Sequence, residues 1–183
     1  LRWFAAAWNN SQVIESSIRS VEIAAVAAVI ATAAATLAAI ATTRTAPYRG
    51  LTFKYSFINM PLMVPEIVTA VALLIFFSRI KVWSGYSGLG YLITAHTAFC
   101  IPFAYLPIRA RLQGMDPRLL EAAADLYASP WRVFWRISFP LLLPGILSGA
   151  MLAFIISMDD FVITYFVAGA GSTTLPIYIF SSI

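Results

Sequence analysis

The sequence predicts an all-α membrane protein, built as a bundle of about four spanning helices. Of its 183 residues, 61% are hydrophobic and only 11% are charged, and the mean hydropathy is +0.83. A typical soluble domain carries about 25% charged residues, so a soluble fold could not bury this much apolar surface. The apolar runs are continuous and of helical length, whereas a β-barrel needs alternating strands of roughly ten residues.

The first predicted span is the uncharged run between Glu22 and Arg44, which is rich in Ala, Val and Ile. Its length is close to the roughly 20 residues that a helix needs to cross the hydrocarbon core. Its alanines, with Thr32 and Thr36 four residues apart, predict a slim helix that neighbouring helices can approach closely.

The second predicted span runs from Tyr55 to Ser78 and contains a single charge, Glu66. Pro61 and Pro65 lie in the same run. Because proline lacks an N–H donor and clashes with the preceding turn, these residues will kink the helix unless it begins at or after them.

The third predicted span, Val82–Ile108, is long enough to include a loop over residues 84–88 before its helix begins. The fourth covers about Ile137–Met158. The uncharged remainder, Phe161–Ile183, contains glycines and a proline, which predicts a re-entrant or loop segment. No polar linker divides the chain, so residues 1–183 are expected to form one domain.

The basic residues predict the orientation of the bundle. Four alternating crossings place eight of them on one side: Arg44, Arg49, Lys54, Arg109, Arg111, Arg118, Arg132 and Arg136. Only Arg2, Arg19, Arg79 and Lys81 fall on the other side. The positive-inside rule makes the first side cytoplasmic. Because the basic residues never form a run, the net charge of +4 does not indicate nucleic-acid binding.

The longest charged segment, residues 109–136, is the predicted cytoplasmic loop. Asp116 and Pro117 are typical of an N-cap and first helical position, and Ser129-Pro130 ends that helix or starts the next. Helical spacing predicts one apolar face, made of Leu119, Leu120, Ala123, Ala124 and Ala128. Glu121 and Asp125, four residues apart, share another face.

Trp131, Phe134 and Trp135 then predict a second short helix with a bulky apolar face. Two readings of the two-helix loop are open at this point. One is an amphipathic hairpin at the membrane interface, with arginines reaching toward lipid phosphates. The other is an element that docks into another protein.

The spacing within this loop resembles the EAA loop of bacterial ABC importer permeases. That pattern is EAA, three residues, Gly, nine residues, Ile, any residue and Leu-Pro. Here Glu121-Ala122-Ala123, Ile137 and Pro140 match it. Tyr127 stands where the family has Gly, and Phe139 where it has Leu. The exchange of Gly for Tyr removes backbone freedom at the turn.

Other segments resemble the permeases of spermidine and putrescine importers over nearly the whole chain. They are Pro65-Glu66-Ile67-Val68, Ala95-His96 with Phe99-Cys100 and Pro102-Phe103, Ser157 to Val162, and Thr173 to Pro176. The resemblance implies a type I ABC importer permease in the bacterial inner membrane. It also implies that the chain is a fragment without the first and last spanning helices of that family.

The same resemblance implies partners and a coupling surface. The partners are two copies of an ATPase subunit, a second permease subunit and an external substrate-binding protein. The chain has no GxxxxGK[ST] stretch, so ATP and Mg²⁺ are expected on the ATPase and no cofactor on this chain. The residues expected to dock on the ATPase are Glu121, Ala122, Ala123, Asp125, Leu126, Ala128, Ser129 and Pro130.

Glu66, Asp159, Asp160 and Tyr165 are the candidate residues of a substrate pathway. Carboxylates in spanning segments are costly and usually face a partner or a water-filled path, and a polyamine needs carboxylates and aromatic faces. Glu66 could instead pair with a neighbouring helix or lie at a helix end near water. The two aspartates could be solvated at the membrane surface, and Tyr165 could simply pack against Phe161.

Neighbouring aspartates on a helix point about 100° apart, so Asp159 and Asp160 cannot both face one ligand in the same way. One is expected to line the path while the other caps a helix or pairs elsewhere. His96 is the single histidine, which excludes a multi-histidine metal site, and it is expected to hydrogen-bond within the bundle. Cys100 has no second cysteine for a disulfide or metal pair.

Three other functions remain to be weighed. The cargo of an ABC permease could be another small solute or a metal ion. An intramembrane aspartyl enzyme would place two aspartates on separate helices, whereas Asp159 and Asp160 are adjacent. A passive channel or an assembly scaffold fits the apolar composition but leaves the EAA-type loop unexplained.

Overall fold

A computed structural model of the chain describes residues 7–43, 49–86, 88–169 and 173–182. Arg2, Arg44 and Ile183, named above, lie outside these ranges, as does residue 87 of the predicted loop. The regular elements described there are all helices: α1 (Ser11–Thr43), α2 (Leu51–Met63), α3 (Glu66–Ser84), α4 (Leu89–Gln113), α5 (Arg118–Asp125), α6 (Pro130–Asp159), α7 (Val162–Val167) and α8 (Leu175–Ser181).

Four of these helices, α1, α3, α4 and α6, are long and apolar enough to cross a membrane. The predicted all-α class and the number of spans are therefore confirmed. The loop predicted before the third helix is also present, since α3 ends at Ser84 and α4 begins at Leu89. The C-terminal remainder, predicted as re-entrant or loop, contains the two short helices α7 and α8.

The second span differs from the predicted run that begins at Tyr55. Pro61 lies inside α2, but the chain breaks at Val64, whose extended backbone has φ −92° and ψ 133°. A residue before proline is disfavoured in the helical region, and Pro65 follows Val64 directly. The spanning helix α3 therefore begins at Glu66, as expected for a helix that starts after the second proline.

The prediction of a second short helix around Trp131 is wrong in its extent. These residues form the first turns of α6, which begins at Pro130 and continues through a π turn at Phe134–Ser138 into Phe139–Asp159. Ser129 is extended, and Pro130 at the first position suits a helix start because its missing N–H would have no partner there. α1 likewise begins at Ser11, before the run that was predicted to span.

The core lies where α1, α4 and α6 pack together. Small side chains on α1 bring its backbone close to its neighbours: Ala28, Ala31, Ala35 and Ala39. On α6, a Cβ added at Gly149 would lie 2.8 Å from the Ala104 carbonyl oxygen and 3.3 Å from its Cα. α4 and α6 thus touch backbone to backbone, as small residues allow in membranes.

The predicted alternation of the spans is visible in contacts at one end of the bundle. Thr42, near the end of α1, hydrogen-bonds the Tyr105 hydroxyl at 2.8 Å. Arg111, near the end of α4, donates from Nε to the Leu141 carbonyl oxygen at 2.8 Å. Lys54 of α2 lines a groove with Thr42. Arg111 and Lys54, two of the basic residues predicted to share one side, therefore lie at the end of the bundle where α1 and α4 end.

Candidate functional site

A cavity of about 370 Å³ lies between α3, α4 and the junction of α6 with α7. Three carboxyl groups and three phenylalanines line it: Glu66, Asp159, Asp160, Phe99, Phe103 and Phe161. Ile155, Ile156 and Val162 complete its wall. The structure thus brings together three of the four residues predicted for a substrate pathway.

The cavity lies near the middle of α4. Phe99 and Phe103 flank the midpoint of α4, and at 1.5 Å per residue each lies about 15–21 Å from either end of that helix. Carboxyl groups at this depth are costly without a partner or water. Asp160 is buried, so the alternative of a solvated residue does not describe it, whereas Asp159 is exposed and its role in the pathway stays a prediction.

Glu66 reaches this depth because of the break before α3. The extended Val64 and the following Pro65 end one helix and start the next beside the cavity, so Glu66 occupies the first turn of α3. A negative side chain is favourable there because the N-terminal end of a helix carries partial positive charge. Glu66 and Asp160 line the same cavity.

The two aspartates have different surroundings, as the 100° argument predicts. Asp159 is exposed at the end of α6. Asp160 is only 7% exposed, and its carboxylate accepts from the backbone N–H of Ile163 at 3.3 Å and of Thr164 at 2.9 Å. Asp160 therefore caps α7, and Asp159 is the aspartate with a free approach.

His96 hydrogen-bonds within the bundle, as expected. Its Nδ1 lies 2.8 Å from the Ser157 hydroxyl on α6, and its Nε2 lies 2.9 Å from the Thr164 hydroxyl on α7. The same Nε2 is 3.4 Å from Asp160 Oδ2. These contacts connect α4 to both helices at the junction that carries the aspartates.

Tyr165 is not among the side chains that line the cavity in the described part of the chain. It is 57% exposed, and its ring centroid lies 5.4 Å from that of Phe161, which does line the cavity. This is the packing arrangement considered above. Its role in the pathway stays a prediction.

The predicted coupling loop forms one short helix, α5, between α4 and α6. Asp116 Oδ1 accepts from the backbone N–H of Arg118 at 2.9 Å, so the aspartate caps the helix start as predicted. α5 itself begins at Arg118, one residue after the predicted first position. Most of the residues predicted to dock on an ATPase are exposed: Glu121, Ala122, Asp125, Leu126, Ser129 and Pro130. Ala123 is buried and Ala128 is half-buried.

Tyr127 closes α5 in a left-handed backbone conformation, with φ 54°. Its N–H donates to the Ala124 carbonyl at 2.9 Å, and the Ala128 N–H donates to the Ala123 carbonyl at 3.1 Å. This pair of bonds is the Schellman motif, whose left-handed residue is usually glycine. The position at which the EAA pattern has Gly is therefore the one where a side chain is least favourable, and Tyr127 is 97% exposed there.

Sequence reasoning missed the roles of several residues around the cavity. Phe99 and Phe103 were named only as part of the family resemblance and were given no role in the pathway. Their spacing of four residues already places them on one face of a helix. Ser157 was also named only as part of that resemblance, because serine in a spanning helix usually bonds its own backbone or a neighbouring helix and so indicates no specific role. Its contact with His96 joins residues that are 61 positions apart.

Comparison with known proteins gives one family and a set of close relatives. The family described as "Binding-protein-dependent transport system inner membrane component" matches residues 31–182. The putrescine transport system permease protein PotI of Escherichia coli (strain K12) is 36% identical over 185 residues, covering 100% of this chain and 66% of the relative.

Two spermidine/putrescine transport system permease proteins named PotC are similar over the same extent. That of Haemophilus influenzae is 40% identical over 179 residues, covering 98% of this chain and 68% of the relative. That of Escherichia coli (strain K12) is 34% identical over 182 residues, covering 100% and 67%. The chain spans about two thirds of the length of the curated relatives it matches.

Proposed function

Since this chain belongs to the family of binding-protein-dependent transport system inner membrane components, we propose that it is the permease subunit of an ATP-driven polyamine importer. Its matched relatives are named as putrescine and spermidine/putrescine permease proteins. The four candidate spans agree with a multi-pass protein of the inner membrane. The observation that carries the proposed cargo is the carboxylate and phenylalanine cavity near the middle of α4.

The lining of this cavity suits a linear polycation. Glu66 and Asp159 offer carboxylate oxygens, which form strong charge-assisted hydrogen bonds with ammonium groups. Phe99, Phe103 and Phe161 offer aromatic faces, which attract cations through the ring quadrupole, while their apolar surface suits the methylene segments of a polyamine. A neutral cargo would leave carboxyl groups unpaired at a depth where they are costly.

The remaining machinery is proposed to come from partners. A second permease subunit would complete the pathway, two ATPase subunits would bind ATP and Mg²⁺, and an external binding protein would deliver the cargo. The exposed surface of α5, with Glu121 and Asp125, would dock on the ATPase. ATP-driven closure of the ATPases would move α5 and with it α4 and α6, opening the cavity outward, and hydrolysis would reset it.

An intramembrane aspartyl enzyme is not supported. The matched relatives are named as transport permeases. Asp160 is buried, and its carboxylate accepts from two backbone N–H groups of α7, so it is not paired with Asp159 across a substrate.

The cargo proposal is tested by uptake of radiolabelled putrescine into vesicles that contain the complete importer. Glu66→Gln and Asp159→Asn are expected to raise the KM about tenfold or more, since each removes one charge-assisted hydrogen bond. Glu22→Gln, at an exposed carboxylate of α1 away from the cavity, is the matched control and should leave the KM unchanged. Normal uptake in both cavity variants would refute the role of the carboxylates. Uptake that no polyamine inhibits would assign the importer to another small solute.

The docking proposal is tested by co-purification. Glu121→Lys reverses an exposed charge on α5 and is expected to release the ATPase subunit from the purified importer. Glu15→Lys reverses an exposed charge near the start of α1 and should retain it. An ATPase that remains bound with equal stoichiometry in the Glu121→Lys variant would remove the main argument for coupling through α5.

A further inference from the structure

Asp160 is a buried residue of the cavity lining, and its carboxylate is held by contacts with α7. It accepts from two backbone N–H groups of α7, and the Thr164 hydroxyl lies 3.0 Å from its Oδ2. Because a carboxylate can only accept, the Thr164 hydroxyl donates in this contact. The hydroxyl oxygen is then left with lone pairs that a second donor can use.

His96 supplies that second donor. Its Nε2 is 2.9 Å from the Thr164 hydroxyl, so this nitrogen carries the proton. Its Nδ1 accepts from the Ser157 hydroxyl at 2.8 Å. The hydrogen bonds therefore run in one direction, from Ser157 through His96 and Thr164 to Asp160. Every polar atom in this chain of contacts is satisfied, which low-dielectric surroundings make important.

The chain of hydrogen bonds joins three helices at the junction where the two aspartates diverge. His96 belongs to α4, Ser157 to α6 and Thr164 to α7. His96 is 2% exposed and Thr164 is fully buried, so packing restricts both side chains to one arrangement. Asp159, the last residue of α6, directly precedes Asp160 in the chain. It is exposed and lines the cavity.

We propose that His96 is a positioning residue for the cavity. Through Thr164 it keeps the Asp160 carboxylate engaged with α7, so that Asp159 and Glu66 are the carboxyl groups that bind an ammonium group of the cargo. His96 does not line the cavity and acts through Thr164 and Asp160. This inference rests on the proposed import of polyamines. It adds that the two aspartates have different roles, Asp159 in binding the cargo and Asp160 in capping α7.

The test measures the kinetics of putrescine uptake by the complete importer, per folded transporter. His96→Ala is expected to raise the KM about tenfold with a kcat within threefold of the wild type, because Thr164 loses the donor that orients its hydroxyl toward Asp160 and α7 loses its link to α4. His96→Gln keeps an amide N–H that can reach Thr164 and should restore a KM close to that of the wild type. Ser157→Ala, the milder variant, should raise the KM about threefold.

A double-mutant cycle separates positioning from a purely structural role. Asp159→Asn should be much less damaging when His96 is already alanine, since the geometry that gives Asp159 its role is then already lost. A wild-type KM in both His96→Ala and Ser157→Ala would overturn the inference, at whatever level the two variants are expressed. Additive effects of the two substitutions in the double-mutant cycle would also overturn it. In that case the proposed function stands. Wild-type importer without saturable putrescine uptake would overturn both.

Discussion

Replacing Tyr127 with glycine should stabilise the end of α5, because it relieves a backbone conformation that disfavours side chains. Tyr127 has φ 54°, and a left-handed conformation costs an L-residue roughly 1–2 kcal/mol. Glycine avoids this cost but loses more entropy on folding, about 0.4–1 kcal/mol. Since the Tyr127 side chain is 97% exposed, little packing is lost, and the net gain is about 1 kcal/mol.

The gain should be measured locally, by hydrogen exchange of the loop peptides in the purified full-length protein. The Tyr127 and Ala128 amides donate the two bonds that close α5. A stabilisation of 1 kcal/mol slows exchange through local opening about fivefold. Tyr127→Ala is the matched control, since it removes the side chain but keeps the Cβ and should not slow exchange. Exchange that is equally slow in both variants, or faster with glycine, would refute the argument from backbone strain.

Two further predictions concern the packing of α4 with its neighbours. Gly149→Ala places a Cβ 2.8 Å from the Ala104 carbonyl oxygen and should destabilise the bundle by about 1–3 kcal/mol, seen as a lower thermal midpoint in detergent. Gly169→Ala has no atom within 4 Å of the new Cβ and should be neutral, so an equal loss in both would contradict the steric explanation. Arg109 donates to the Tyr55 hydroxyl and lies 4.0 Å from its ring centroid. Tyr55→Phe should therefore cost about 1 kcal/mol and Tyr55→Leu about 1 kcal/mol more, and equal midpoints for the two would exclude the cation–π contribution.

The spans are predictable from sequence because hydrocarbon imposes a minimum apolar length on any helix that crosses it. This constraint yields the correct number of spans and the loop before α4 without any tertiary information. The start of α3 also follows from a local rule, since the residue before Pro65 is forced into an extended conformation. The predicted short helix at Trp131 fails because propensity does not indicate whether two helical segments join, and here a π turn joins them.

Sequence by itself determined which side chains of this protein are chemically unusual: carboxylates and a histidine in apolar runs, and a tyrosine where a turn favours glycine. Only the tertiary structure decided what each one does. The identity of the capping aspartate, Asp160, depends on where α7 begins, and the role of His96 depends on contacts across 61 and 68 positions. Local rules act over a few residues, whereas the cavity forms where α3, α4 and the junction of α6 with α7 meet, and packing alone brings those residues together.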